Sequence, residues 1–332
     1  MSRLTDKYQS YAHFKGISFD EASYTSTPTK TGALQLSGNS VIMTDGNFTA
    51  DGNNTATLQT GVLPNQKYYQ FEFDNTVSPQ KNARLYYGSF ASGNAGGIDD
   101  VRRVMWDYTP FDRVCGFWLK MPSNITSSSS VIAAVRFLTN GTSAMITVGA
   151  AKSPNGLPAI NFTHSTAELS TGGAVVQWYE SYTDTGSNVI PIQWDKWYFI
   201  AVRKSINETN SPSVGDPATG TIEYKHYING QLVGTFTRTS WTKRSINAIV
   251  FGNNNAVTNG KIGISSWFLS DWDQIGTGGL ADIFRYGSPF YSTMKYYDGD
   301  SWEWTNSQRV YYDNAWQDVY ANRFDGTNWV PM

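Results

Sequence analysis

A chain of 332 residues is long enough to bury a sizeable core in one large domain or two ordinary ones. Only 16% of its residues are charged and the formal net charge is −2, so it lacks the electrostatic footprint of a nucleic-acid-binding protein. A single cysteine, Cys115, excludes an intrachain disulfide and a thiolate zinc site, and a 15% aromatic content argues against disorder.

The segment Met1 to Tyr8 has no apolar core of a signal peptide. The longest apolar stretch, Val131 to Leu138, contains Arg136 and is too short to span a bilayer. The expectation is a protein made in a cytoplasm and not inserted in a membrane. Asn-x-Ser/Thr matches at Asn47, Asn53, Asn124, Asn140, Asn161 and Asn207 are read as the by-product of an Asn- and Thr-rich chain.

Short apolar-alternating runs closed by Gly, Asn, Asp or Pro predict strands along most of the chain. Tyr69 to Phe73, Arg84 to Tyr87 and Ile146 to Ala150 alternate. Val114 to Met121 and Trp197 to Arg203 are apolar on both faces, as central covered strands are. In Glu223 to Phe236, Asn229-Gly230 supplies the two positive-φ residues of a type I′ turn. That turn predicts a hairpin with Tyr227 opposite Leu232 and His226 opposite Val233. Further strands are predicted at Ala248 to Gly252 and Lys261 to Leu269. Ser270-Asp271 then caps a helix carrying Leu280, Ile283 and Phe284, stopped by Gly287 and Pro289. Long loops are predicted at Asn94–Gly97, Ser123–Ser130 and Asn207–Gly220, where Gly, Pro and Ser break any period.

The order of these features resembles the closing half of a concanavalin A-like or laminin-G-like jelly roll. Phe117-Trp118-Leu119-Lys120 and Trp197 to Val202 precede a Tyr-Ile-Asn-Gly hairpin. An Ile-Val-Phe-Gly-Asn strand end and Ile262 to Ser270 then run into a short helix. The match covers Met105 to Pro289, with residues 12–104, Phe14 to Phe19 and Leu34 to Met43 among them, supplying the opening strands. The resemblance implies an all-β antiparallel sandwich over residues 1–292.

From Lys295 the chain changes character. Tyr296-Tyr297-Asp298-Gly299, Tyr311-Tyr312-Asp313-Asn314 and Arg323-Phe324-Asp325-Gly326 each lead to a Trp, at Trp302, Trp316 and Trp329, with 15 and then 12 residues between the Asp positions. Each unit predicts a small hairpin with an aromatic on each arm, and such hairpins bury too little to fold alone. Residues 293–332 therefore read as a β-hairpin repeat tail. It resembles the YYDG-x-x-W hairpins of bacteriophage virion and tail-fibre proteins. Tyr297, Trp302, Tyr312, Trp316, Phe324 and Trp329 are its candidate docking residues, towards other virion proteins or copies of the chain.

Relatives of this fold include glycan hydrolases and lyases, so carboxylates are the first candidates for chemistry. A retaining hydrolase needs two of them about 5–5.5 Å apart. None of the seven Glu forms the Glu-x-Asp-x-(x)-Glu triplet of the glucanase branch, and Asp271 and Asp273, flanking Trp272, read as the acidic start of a helix. His13, His164 and His226 are scattered, with His226 inside the predicted hairpin, and Cys115 lies in an apolar strand. The chain is expected not to be an enzyme. No cofactor is expected. Asp99-Asp100 and Asn253-Asn254-Asn255 could offer oxygens to Ca²⁺, but turn chemistry explains both segments.

Sugars stack their C–H faces on aromatic rings. Trp178, Tyr179 and Tyr182, and Trp241 in the basic turn Arg238 to Arg244, are the aromatics least tied to an apolar strand and so the glycan-binding candidates. The reading is a bacteriophage virion structural protein (fibre, tail-associated or capsid decoration), with the sandwich touching host surface glycan. The alternatives are a polysaccharide depolymerase on the same fold and a decoration protein with no ligand.

Overall fold

The computed structural model describes residues 111–139, 143–165, 173–210, 216–242, 248–252 and 259–286, with strands and single residues between 15 and 88 and strands between 294 and 331. Strands dominate, all pairings are antiparallel, and two large sheets carry the fold.

The first sheet is built from β4 (Ala56–Thr60), β5 (Lys67–Asp74), β8 (Phe111–Lys120), β15 (Trp197–Glu208), β16 (Pro217–Ile228), β17 (Gln231–Thr242) and β19 (Gly260–Asp271), in the order β17-β16-β15-β8-β19-β5-β4. Two short strands, β1 (Lys15–Gly16) and β6 (Lys81–Asn82), add to β19 and β5. The second sheet runs β12-β11-β10-β9-β18-β7, from β7 (Arg84–Gly88), β9 (Ser130–Thr139), β10 (Ser143–Lys152), β11 (Pro158–His164), β12 (Val175–Tyr179) and β18 (Ala248–Gly252). Separate hairpins form from β2 (Ala33–Leu36) with β3 (Asn39–Ile42), and from β13 (Ser181–Thr183) with β14 (Val189–Pro191). The result is an all-β sandwich.

One core joins the two sheets. Val114, Cys115, Phe117 and Leu119 of β8 and Ile200 and Val202 of β15 belong to the same buried cluster as Val135, Phe137, Val148, Ile160 and Phe162 of the facing sheet. Burial of each such side chain contributes about 1.5–3 kcal/mol. On alternating strands such as β5, where Tyr69, Phe71 and Phe73 are buried, it also fixes which face points inward, because a one-residue slip would turn the apolar set to solvent. Cys115 is part of this packing, and burial pushes its thiol up, away from the reactive thiolate form.

The other face of the first sheet is partly covered by α1 (Trp272–Tyr286), entered directly from β19. Phe284 stacks on Trp118, Trp272 stacks on Tyr227, and the Arg203 guanidinium lies 4.3 Å from the centroid of the Trp272 ring. The Arg203 fork is held by Asp112 on the adjacent strand, with Nε donating to Oδ1 at 2.7 Å. The helix breaks at Gly276 (φ 58°, ψ −175°), a conformation costly for any residue with a Cβ.

Three details differ from the sequence reading. The Asn229-Gly230 turn forms with both residues at positive φ, 50° and 77°, and Tyr227 opposes Leu232. His226, however, opposes Gly234 rather than Val233, because the ladder shifts between His226 and Tyr227. A Cβ at Gly234 would stand 1.9 Å from the Tyr179 hydroxyl, so the bulge places the one residue without a side chain where β12 closes in. Next, both ends of the predicted Asn207–Gly220 loop are strand: β15 extends through Glu208 and β16 starts at Pro217. Thr209 N–H donates to the Thr219 carbonyl, and the Asn210 side chain both donates to Pro217 O and accepts from Thr219 N–H, which lets a Pro- and Gly-rich segment stay paired. Finally, the residues from Arg238 to Thr242 continue β17 instead of turning.

The tail residues form three two-stranded ladders: β20 (Met294–Tyr297) with β21 (Trp302–Thr305), β22 (Arg309–Tyr312) with β23 (Ala315–Asp318), and β24 (Asn322–Phe324) with β25 (Trp329–Pro331). In register, Tyr297 is opposite Trp302, Tyr311 opposite Trp316, Tyr312 opposite Ala315 and Phe324 opposite Trp329.

Candidate functional site

Antiparallel strands that bury one face leave the other to carry polar side chains, and on β5, β8 and β19 that face holds a groove. Gln70, Glu72 and Asp74 alternate along β5. In register, Gly263 faces both Gln70 and Lys120, and Lys261 faces Glu72. Ser123 and Asp195, from the loops beyond β8 and before β15, join these side chains and Asn259 around a cavity of about 360 Å³. That volume lies within the range of small-ligand sites.

The loop bearing Asp195 is pinned in place. Asp195 N–H donates to Pro122 O at 3.1 Å and Met121 N–H donates to Lys196 O at 2.9 Å. Asp195 itself has φ 58°, a left-handed conformation uncommon for a residue with a side chain. Gly263 is the neighbour in register of two lining residues, Gln70 and Lys120. A Cβ there would stand 2.9 Å from each of Lys120 Cβ, the Trp197 ring and the Tyr68 ring. Those two rings meet edge to face with centroids 5.0 Å apart, and Lys120 Nζ stands 5.9 Å from the Tyr68 centroid.

The groove therefore offers carboxylate and amide acceptors from Glu72, Asp74, Asp195, Gln70 and Asn259, and ammonium donors from Lys120 and Lys261. Lys261 Nζ is 3.6 Å from Glu72 Oε2. Asp74 Oδ1 accepts from the backbone N–H and hydroxyl of Thr76 at 2.9 and 2.6 Å, an Asx-type turn. Multiple polar groups of both kinds suit a ligand dense in hydroxyls.

None of the glycan-binding candidates named from sequence lines this groove. Trp241 is 1% exposed, paired opposite Ala218 and packed in the core. Tyr179 points inward from β12, where its ring meets Phe162 edge to face and its hydroxyl lies 3.1 Å from His226 Nδ1. Burial pushes the Tyr179 hydroxyl up to about 12, keeping it neutral. Tyr182 accepts a hydrogen bond from Asn229 Nδ2 at 2.9 Å, while Asn229 Oδ1 accepts from Phe199 N–H, so it buttresses the hairpin tip. Trp178 is half-buried on β12, opposite Asn161 of β11.

Sequence reasoning missed Glu72-Phe73-Asp74, an acidic pair at strand spacing that brings both carboxylates to one groove; only the spacing could have signalled it. Asp271 ends β19 and Asp273 lies in the first turn of α1. His164 and His226, 62 residues apart, meet in the core with Nε2 atoms 3.0 Å apart. Asp99-Asp100, Asn253 to Asn255 and His13 lie outside the described residues. Among the described residues, no three His, Cys, Asp or Glu side chains gather as a metal ion would require.

No protein-family model matches this chain, and no curated protein matches it. Among solved structures, the receptor binding domain of botulinum neurotoxin D is similar over 74% of this chain and 50% of its own, at 12% identity and a TM-score of 0.42. The binding domain of botulinum neurotoxin DC, solved with rat synaptotagmin II, is similar over 71% of this chain and 46% of its own, at 14% identity and a TM-score of 0.43. A botulinum neurotoxin type C structure, described by its dependence on two ganglioside molecules for cell entry, covers the same shares at 14% identity and a TM-score of 0.42. The chain spans about half the length of these structures.

Proposed function

We propose that this chain is a non-enzymatic surface component of a bacteriophage virion whose sandwich binds host glycan in the groove between β5, β8 and β19. The groove is the observation that carries this reading: acceptors from Glu72, Asp74, Asp195 and Gln70 and donors from Lys120 and Lys261 surround one cavity. A glycan array probed with the full chain tests it. Binding to a defined set of host surface glycans supports it, and uniform absence of binding leaves a purely structural role. Lys120→Met and Asp195→Asn each remove one charged hydrogen-bonding group. Each should weaken an array hit about ten- to a hundredfold, since such bonds contribute about 1.5–3 kcal/mol.

The tail supports the virion part of the reading through its three Asp-Gly or Asp-Asn hairpins, each with an aromatic opposite or beside a Trp arm. In this account, residues 1–292 form the binding unit and residues 293–332 dock onto other virion proteins or copies of the chain. Deleting residues 293–332 should leave a folded sandwich by circular dichroism that no longer incorporates into particles. Normal incorporation would remove the docking role.

A depolymerase is the second reading, favoured by one observation: Glu72 and Asp74 share the groove with Asp195. Release of reducing ends from host capsule or lipopolysaccharide, lost in Glu72→Gln, would establish it.

A further inference from the structure

Histidine changes charge near neutral pH, and a buried imidazole must do so without water to solvate the cation. His164 and His226 occupy opposite sheets, on β11 and β16, and both are buried, at 1% and 0% exposure. Their rings stack with centroids 5.1 Å apart and their Nε2 atoms stand 3.0 Å apart. On its outer side, His226 Nδ1 meets the Tyr179 hydroxyl, whereas His164 Nδ1 is buried without a hydrogen-bond partner. Phe162 and Phe236 close the stack, with ring centroids 4.1 Å from His226 and 4.3 Å from His164.

Proton counting limits what this pair can hold. When both rings are neutral, one hydrogen lies between the two Nε2 atoms. A first added proton goes to an outer Nδ1 and keeps that contact. A second leaves two N–H groups head to head across 3.0 Å, with two positive charges in the core.

The cations around His164 oppose its charging. Lys204 of β15 is fully buried and Arg238 of β17 lies over Phe236, and both act on His164 as positive charges. Arg113 of β8 is opposite Lys204 in register, and Glu208 lies four residues along β15 on the face that carries Lys204. From β12 come Tyr179 and Gln177, from β16 Tyr224, and from β10 the apolar Ile146 opposite His164. Burial holds both imidazoles well below the ordinary histidine range, and His226, Lys204 and Arg238 push His164 further down.

We propose that His164 and His226 form an acid-sensitive latch that closes β11 and β12 onto β16 and β17 while both rings are neutral, and that protonation of the pair opens this end of the sandwich. The sign follows from proton binding. The open or unfolded state takes up protons below pH about 6.5, where the closed state does not, so stability is full above that pH and is lost as pH falls below it. Each histidine should raise the opening equilibrium about thirtyfold between pH 7.5 and pH 5, and the pair about a thousandfold.

Two measurements on the full chain test the latch. Hydrogen exchange, corrected for intrinsic rates, should show protection at 158–164 and 221–228 falling between pH 7.5 and pH 5 before protection at 114–120 does. In the His164→Gln/His226→Gln variant that pH dependence should disappear. Loss of protection spread evenly over all three segments, or an unchanged pH dependence in the variant, would overturn the proposal. The second measurement keeps the idea testable if the variant does not fold. In the wild-type protein, the imidazole C–H resonances assigned to His164 and His226 should not titrate near pH 6.5 in the closed state, and a midpoint there for either ring would refute it.

Discussion

Replacing Trp241 with alanine is expected to lower the unfolding free energy by about 3–5 kcal/mol, the range for deleting a large buried aromatic. The ring is among the largest fully buried side chains, and the chain around it is strand: Trp241 of β17 pairs with Ala218 of β16, itself 0% exposed. An alanine would leave most of an indole volume empty against two paired strands that cannot collapse into it. Urea unfolding followed by far-UV circular dichroism measures the effect. A loss below about 1 kcal/mol, together with lost glycan binding, would instead make the indole part of a ligand site.

Gly149→Ala should be comparably damaging for the opposite reason, by overpacking. Gly149 of β10 sits where the ladder with β9 shifts, between the Val148–Val135 and Gly149–Ala133 pairs. A Cβ there would stand 2.3 Å from the Ile132 carbonyl oxygen and 3.0 Å from Ala133 Cα. Both are backbone atoms of the neighbouring strand, so relief requires the central strands of the second sheet to part. The expected loss is about 3 kcal/mol or more. Gly278 in α1 provides the control. A Cβ there meets nothing within 4 Å, and Gly278→Ala should stabilise the protein by about 0.5–1 kcal/mol through helix propensity. Similar destabilisation by both substitutions would remove the steric explanation.

The fold was legible where local chemistry decides it. Asn229-Gly230 announces its turn because few other pairs accept two successive positive φ values, and Trp197 to Val202 reads as a covered strand because both of its faces are apolar. What depends on tertiary pairing was not legible. The Pro- and Gly-rich Asn207–Gly220 segment reads as a loop, yet cross-strand bonds from Thr209 and Asn210 extend the ladder into it. Trp241 sits among Arg, Thr and Ser, a polar neighbourhood that conceals a buried indole whose partner, Ala218, is 23 residues away in sequence.

The site was hidden for the same reason. Gln70 and Glu72, Lys120, Asp195 and Lys261 come from four separate parts of the chain, and only the order β8-β19-β5 and the pinned 193–196 loop bring them together. His164 and His226 appear scattered in sequence and become neighbours only through sheet-on-sheet packing. The aromatics that do stand out locally, Tyr179 and Tyr182, are the ones the fold uses as internal buttresses.

The most direct measurement compares one glycan array across the wild-type chain, a Glu72→Gln/Lys120→Met variant and a Trp178→Ala variant. The wild type and Trp178→Ala should bind the same glycans, while the groove variant, still folded by circular dichroism, should lose them. Retained binding by the groove variant, or loss confined to Trp178→Ala, would contradict the assignment of glycan binding to the face of β5, β8 and β19.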